Sequence, residues 1–126
     1  MSRKPKILMI DDEVMCELTR ATLEESEYDL VALSDAGKAR SAFSDDPHQF
    51  DLVILERVVS GVCGRELASL FLSLRPDIPV ALYTGSVVSR EEVRSKGFRD
   101  VIPKPLTKAE LTRAIARIIA GAQASR

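Results

Sequence analysis

Short apolar runs alternate with helical patterns along the whole chain. Ile7 to Ile10, Leu30 to Leu33, Leu52 to Leu55 and Val80 to Tyr83 are continuous apolar runs, and Val101 to Ile102 is a shorter one. Runs this short, apolar at successive positions, suit strands of a parallel sheet covered by helices on both faces. Between them the period changes. After Asp12, the residues Val14, Leu18 and Ala21 fall on one face of a first helix. Ala36, Ala39 and Phe43 recur at helical spacing behind a cap at Ser34 or Asp35. Leu67, Leu70, Phe71 and Leu74 make a third stripe that ends before Pro76. Ser89 with Glu92 reads as a capping box, and Gly97 as the stop of that helix. Thr107 with Glu110 is a second box, opening a helix whose stripe is Leu111, Ile115, Ile118 and Ile119. The stretch from Gly121 to Arg126 is expected to fray.

The order is strand then helix, five times over. Such alternation implies parallel strands joined by right-handed crossovers, and hence a three-layer, doubly wound α/β sheet. Pro103 cannot donate to a ladder, which places the last strand at an edge. No repeat or linker divides the 126 residues. One domain is expected over residues 1–126, with an ordered core of about 5–120.

Composition narrows the function. Hydrophobic residues make up 45% and charged residues 29%, the balance of a globular chain rather than a disordered one. Eighteen basic against nineteen acidic side chains give a net charge of −1, so the basic excess that favours nucleic acid is missing. The apolar run behind the basic N-terminal stretch stops at two aspartates. It is too short for a signal peptide or a membrane span, and a cytoplasmic location is expected. Cys16 and Cys63 have neither metal-ligand spacing nor partner histidines, and His48 lies in a polar stretch. Both thiols are expected free and buried or half-buried.

Ligands of open α/β sheets bind outside the carboxyl ends of the strands. The polar residues at those ends are Asp11 and Asp12 after the first strand, Glu56 after the third, Thr84 at the fourth and Lys104 at the fifth. Three carboxylates within a few ångströms either raise a pKa or recruit a cation, and oxygen donors point to Mg²⁺ or another hard divalent ion. Lys104 is a compact positive charge suited to a phosphoryl group, and Thr84 adds a hydroxyl. Taken singly, Asp12 and Glu13 read better as the cap and dipole partners of the first helix; taken together with the polar residues at the other strand ends, they do not.

In these stretches the chain resembles the receiver domains of two-component response regulators: KILMIDDE (Lys6 to Glu13), DLVILE (Asp51 to Glu56), SGVCGRELA (Ser60 to Ala68), PVALYTG (Pro79 to Gly85) and IPKPL (Ile102 to Leu106). The resemblance implies a flavodoxin-like (βα)5 fold with strand order 2-1-3-4-5. It implies an acidic pocket of Asp11 and Asp12, with Asp12 closer to a Mg²⁺ ion that Glu56 and the backbone carbonyl of Val58 also approach. It makes Thr84 the switch hydroxyl, Lys104 the lysine that pairs with the phosphoryl group, and Lys104–Pro105 a cis peptide. The implied partners are a sensor histidine kinase or other signalling protein. A homodimer through the fourth helix, fifth strand and fifth helix is also implied, where Arg90, Glu91, Arg94, Arg113 and Arg117 are expected exposed. No output domain follows the fifth helix, so the domain is expected to stand alone or to be a piece of a larger regulator or hybrid kinase.

The sequence departs from the family pattern at the position that matters most. Glu56 stands where the phosphoacceptor aspartate is usual, and its extra methylene pushes the carboxylate further towards Thr84 and Lys104. In-line transfer requires tight geometry, and a misplacement of about 1 Å costs roughly a hundredfold. Val59 and Ser60 replace a usual Met-Pro pair, and Val101 replaces the aromatic switch residue. Three readings follow. A pseudo-receiver would use Glu56 to salt-bridge Lys104 or to hold an ion with Asp12. A working receiver would accept phosphate on Glu56 or a neighbouring acid. A small α/β phosphoester-processing enzyme is disfavoured, because no Gly-rich phosphate loop follows the first strand and no nucleophile sits beside a general base. The pseudo-receiver, a signalling module rather than an enzyme, is the expectation.

Overall fold

The computed structural model of the chain describes residues 3–95, 97–104 and 106–124, the side chains of Arg90, Glu92 and Ser95 excepted. Five parallel strands form the main sheet: β1 Lys6–Ile10, β2 Asp29–Leu33, β3 Leu52–Leu55, β4 Val80–Thr84 and β5 Asp100–Pro103. Their spatial order is β2-β1-β3-β4-β5, the doubly wound order expected. Ile10 is level with Leu33 on one side and Leu55 on the other, and Thr84 is level with Pro103. Register therefore aligns the carboxyl ends of the strands. Pro103 lies on an edge strand, where its missing N–H costs nothing.

The strands alternate between two cores. Leu8, Ile10, Val53, Leu55, Val80 and Leu82 pack against α2 Ala36–Asp45, α3 Gly64–Leu74 and α4 Arg90–Ser95. Ile7, Met9, Leu52, Ile54, Ala81 and Tyr83 pack against α1 Glu13–Leu23 and α5 Lys108–Ala124. Both faces are covered, which is why the strands read as continuous apolar runs. On the first face Phe43 meets Phe71 with ring centroids 4.5 Å apart and stacks on Phe50 at 6.0 Å.

The helix signals hold at most termini. Asp12 caps α1 by accepting from Met15 N, and Asp35 caps α2 by accepting from Lys38 N. Thr107 and Glu110 form the reciprocal box, at 3.0 and 3.2 Å. Gly97 ends α4 at φ +91°, a conformation that favours glycine. The Glu92 half of the other box lies outside the described side chains.

Four expectations are corrected. The α1 stripe is reversed: Val14 and Leu18 are 66% and 55% exposed, whereas Cys16, Thr19 and Leu23 are buried. Both triplets have helical spacing, and the sheet accepts the smaller, more mixed one. Leu74 is exposed while Ala68 is buried, so the α3 stripe turns one position. α5 does not fray at Gly121, because Ala122 packs into the core and the helix runs to Ala124. Both thiols are free, but Cys63 is exposed rather than half-buried.

Two features were not anticipated. A small antiparallel hairpin pairs Val58–Val59 with Val62–Cys63, turning at Ser60 and Gly61, whose φ values are +52° and +76°. The buried guanidinium of Arg75 donates from Nη1 to the carbonyls of Pro47 and Phe50, and from Nε to Asp77 at 3.0 Å. It ties the end of α3 to the entry of β3. Among the described residues no helix is long and apolar enough to cross a membrane.

Candidate functional site

The carboxyl edge of the sheet brings Asp11, Glu56, Thr84 and Lys104 together on four adjacent strand ends. Backbone bonds set the alignment: Asp11 N donates to Leu33 O, Glu56 N to Ile10 O and Lys104 N to Thr84 O. Lys104 is the hub. Its Nζ lies 2.7 Å from Asp11 Oδ2 and 3.1 Å from Glu56 Oε1. One ammonium thus joins two carboxylates from β1 and β3, and it also stands 5.0 Å from the centroid of the Tyr83 ring.

Burial gives this cluster its electrostatic character. Asp11 is 1% exposed, and loss of water pushes its carboxyl above the usual value despite the neighbouring ammonium. Its Oδ1 accepts from Asp12 N, while Oδ2 has the ion pair but no hydrogen bond of acceptable angle. Desolvation alone would lower Lys104. The carboxylates of Asp11 and Glu56 outweigh it and hold the ammonium above its ordinary value. Burial likewise raises the Tyr83 phenol and the Cys16 thiol, whose Sγ donates to the Asp11 carbonyl at 3.6 Å.

The remaining candidate groups lie outside the Lys104 ion pairs. Asp12 does not join the cluster through its cap: its Oδ1 accepts from Met15 N at 2.8 Å. Glu56 Oε2 accepts from the N–H of Arg57. The Thr84 hydroxyl is buried and accepts from Ser86 N at 3.2 Å, which ties it to its own loop. Val58 is exposed at the start of the hairpin, and Val101 is half-buried against the α2–α4 core. The Lys104–Pro105 peptide lies outside the described residues. Of the basic and acidic residues expected on the α4–β5–α5 surface, Glu91, Arg94, Arg113 and Arg117 are exposed, and Arg117 pairs with Asp100 at 3.2 Å.

The resemblance to receiver domains implies Mg²⁺ at this site, and the donor set here can be tested against that ion. Asp12 Oδ1 and Glu56 Oε2 are occupied by backbone N–H groups, while Asp11 Oδ2 and Glu56 Oε1 face the Lys104 ammonium. Among the described residues no group of three or more His, Cys, Asp or Glu is placed to hold a metal ion. As arranged, these side chains do not fit a divalent cation. The expected three-carboxylate cluster is replaced by two carboxylates and an ammonium.

Sequence reasoning missed two supports of the site. Tyr83 places its ring beside Lys104, although its position one residue before Thr84 on an apolar strand was a signal. Gly64 packs against the Glu56 backbone, and a glycine at a helix start inside SGVCGRELA was the hint.

A doubly wound sheet with an acid, a hydroxyl and a lysine on its carboxyl edge defines a receiver-type signalling domain. The family model of the response regulator receiver domain matches residues 7–116, and the chain belongs to that family. It is 27% identical over 111 residues to a putative two-component response regulator, ARR21, of Arabidopsis thaliana, covering 87% of this chain and 18% of that one. It is 30% identical over 101 residues to the regulatory protein VanRB of Enterococcus faecalis, covering 79% of this chain and 44% of that one. The chain thus spans less than half of these curated relatives. A receiver domain protein from Clostridium thermocellum superposes with a TM-score of 0.85 at 22% identity, covering 97% of this chain and 99% of that one. The non-phosphorylated HemR receiver domain of Leptospira biflexa gives 0.79 at 27% identity, covering 92% and 94%.

Proposed function

We propose that this receiver domain is a pseudo-receiver, in which Glu56 takes the phosphoacceptor position and pairs with Lys104 instead of accepting phosphate. The observation that carries this reading is the 3.1 Å contact between Glu56 Oε1 and Lys104 Nζ, on an ammonium already shared with Asp11. A family lysine that would meet the phosphoryl group is engaged by a carboxylate of its own chain. That carboxylate supplies one negative charge where a phosphoryl group supplies nearly two, so the mimicry is partial and holds the domain in one state. Mg²⁺ is dispensable in this reading, because the ammonium neutralises the acids it would otherwise bridge.

Signalling then runs through protein contacts rather than turnover. The exposed valine and leucine of α1, Val14 and Leu18, adjoin the Asp12 cap and suit a helical partner such as a sensor histidine kinase or another signalling protein. The charged α4–β5–α5 surface is the second contact face, open to a copy of the same domain. The domain works in the cytoplasm, without nucleic acid, and folds as a single receiver domain.

The test is intact mass after incubation with acetyl phosphate and Mg²⁺, with a Glu56→Asp variant alongside. The expected result is no phosphoryl mass on the unchanged protein and a gain on the variant. A labile phosphoryl group on the unchanged protein would overturn the reading, and peptide mapping would then locate the acid that took it.

A further inference from the structure

A cavity of about 260 Å³ opens beside α4, between β4 and the start of α3. Its inner wall is apolar: Leu82, Val93 and Phe98 are buried, and Val88 is partly buried. Its outer wall is the opposite in character, formed by Arg57, Arg65 and Cys63, all exposed. Among the described residues neither of these arginines is in an ion pair. Two uncompensated guanidinium groups over an apolar recess form a site with one chemical preference.

We propose that this cavity binds a small amphipathic anion, a carboxylate with a compact apolar body. The volume lies just below the ~300–1,000 Å³ of drug-sized sites, so the occupant has roughly ten non-hydrogen atoms. Its apolar body fills the recess against Leu82, Val93 and Phe98, and its anionic head meets Arg57 and Arg65, which can grip a carboxylate through paired N–H donors. The same charge pattern argues against a cation or a neutral apolar guest. The recess borders the acidic site through the chain itself, since Arg57 follows Glu56 and Leu82 precedes Thr84 by two residues. The proposal stands independently of whether Glu56 accepts phosphate.

Phenylacetate is a suitable probe, with phenylacetamide as its uncharged counterpart, each titrated into the ¹⁵N-labelled protein. Phenylacetate is expected to shift the amides of Arg57, Arg65, Leu82, Val93 and Phe98 saturably, with a Kd of about 1 mM or tighter. The amide is expected to bind at least about tenfold more weakly, having lost the charge-assisted bonds. Replacing both arginines (Arg57→Gln with Arg65→Gln) should bring the acid down to the affinity of the amide while leaving the amide unchanged. Both substitutions are at exposed positions, so the fold is retained. Val88→Trp, which fills the recess, should abolish both. Occupancy should also slow alkylation of Cys63, with no background from buried Cys16. Equal binding of acid and amide, shifts that do not saturate by about 10 mM, or shifts centred elsewhere would each overturn the proposal.

Discussion

Gly64 lies against the carbonyl of Glu56: a Cβ at position 64 would stand 2.3 Å from that oxygen and 3.3 Å from the carbonyl oxygen of Arg57. The hairpin folds back tightly, and Gly64 N donates to Arg57 O at 2.7 Å. The obstacle is backbone, which cannot swing aside. Helix propensity favours alanine over glycine by up to ~1 kcal/mol, yet Gly64→Ala is expected to destabilise by about 2–3 kcal/mol because sterics win. Gly121→Ala is the control, since no neighbouring atom lies within 4 Å of its Cβ position. It should be neutral or stabilising. The urea midpoint should therefore fall for Gly64→Ala and hold or rise for Gly121→Ala, and a Gly64→Ala protein as stable as its parent would refute the crowding.

Lys104→Met leaves the buried carboxylate of Asp11 facing no cation. Breaking a fully enclosed pair costs ~3–5 kcal/mol; here Glu56 is partly open to water, so about 2–3 kcal/mol is expected at neutral pH. The pH dependence gives a second reading. Burial holds Asp11 above its ordinary value of 3.8 in the folded chain, so its ionisation costs stability once the pH exceeds that value. Without Lys104 that cost grows. The gap between variant and parent should open as pH rises from the acid range and close below 3.8, where Asp11 is protonated in both folded and unfolded chains. In the parent, Lys104 is raised above 10.5, so its stabilisation is complete below that pH and is lost as pH climbs through the folded value. Denaturant melts across pH check both windows.

Arg75 is 5% exposed, and its guanidinium donates to the carbonyls of Pro47, in a short 3-10 turn, and of Phe50, just beyond it. Arg75→Met keeps the apolar stem and strips both carbonyls of their guanidinium donor, at a cost of about 2–4 kcal/mol. Arg75→Lys retains the charge and can offer one ammonium to the two carbonyls that Nη1 serves, but it forfeits the separate Nε bond to Asp77, so it should fall between. Thermal unfolding ranks the three proteins, and a methionine variant matching the parent would show that water serves those carbonyls equally well.

The strands and their ends were legible because a strand covered on both faces is apolar at every position, so each run could be marked to within a residue. The polar residues following them could then be placed on one rim, and Asp11, Glu56 and Lys104 do meet there. Side-chain direction was not legible. Val14, Leu18 and Ala21 are more apolar than Cys16, Thr19 and Leu23 at an equally helical spacing, yet the second set faces the sheet. Asp12 caps α1 through Oδ1, the local role that its place just before the helix also offered. Gly64 and Arg75 act through backbone atoms brought close only by tertiary packing, and no periodicity encodes such contacts.

Ser60 occupies the turn of the hairpin at φ +52°, followed by Gly61 at +76°. Two successive positive values make the mirror-image turn that suits a two-residue hairpin. The Ser60 hydroxyl donates to Ser34 O at 2.8 Å and accepts from Ala36 N at 3.3 Å, tying the hairpin to the entry of α2. Proline, which the resemblance leads one to expect at this position, is locked near φ −65° and cannot take up this turn. Ser60→Pro is therefore expected to destabilise by at least ~3 kcal/mol, through the turn as well as the lost hydroxyl. Ser60→Gly relieves about 1 kcal/mol of left-handed strain and forfeits a similar amount in hydrogen bonds, so it should be nearly neutral. Urea midpoints distinguish the two substitutions. If the proline variant keeps the parent's stability, the hairpin tolerates a different turn, and Ser60 does not determine its shape.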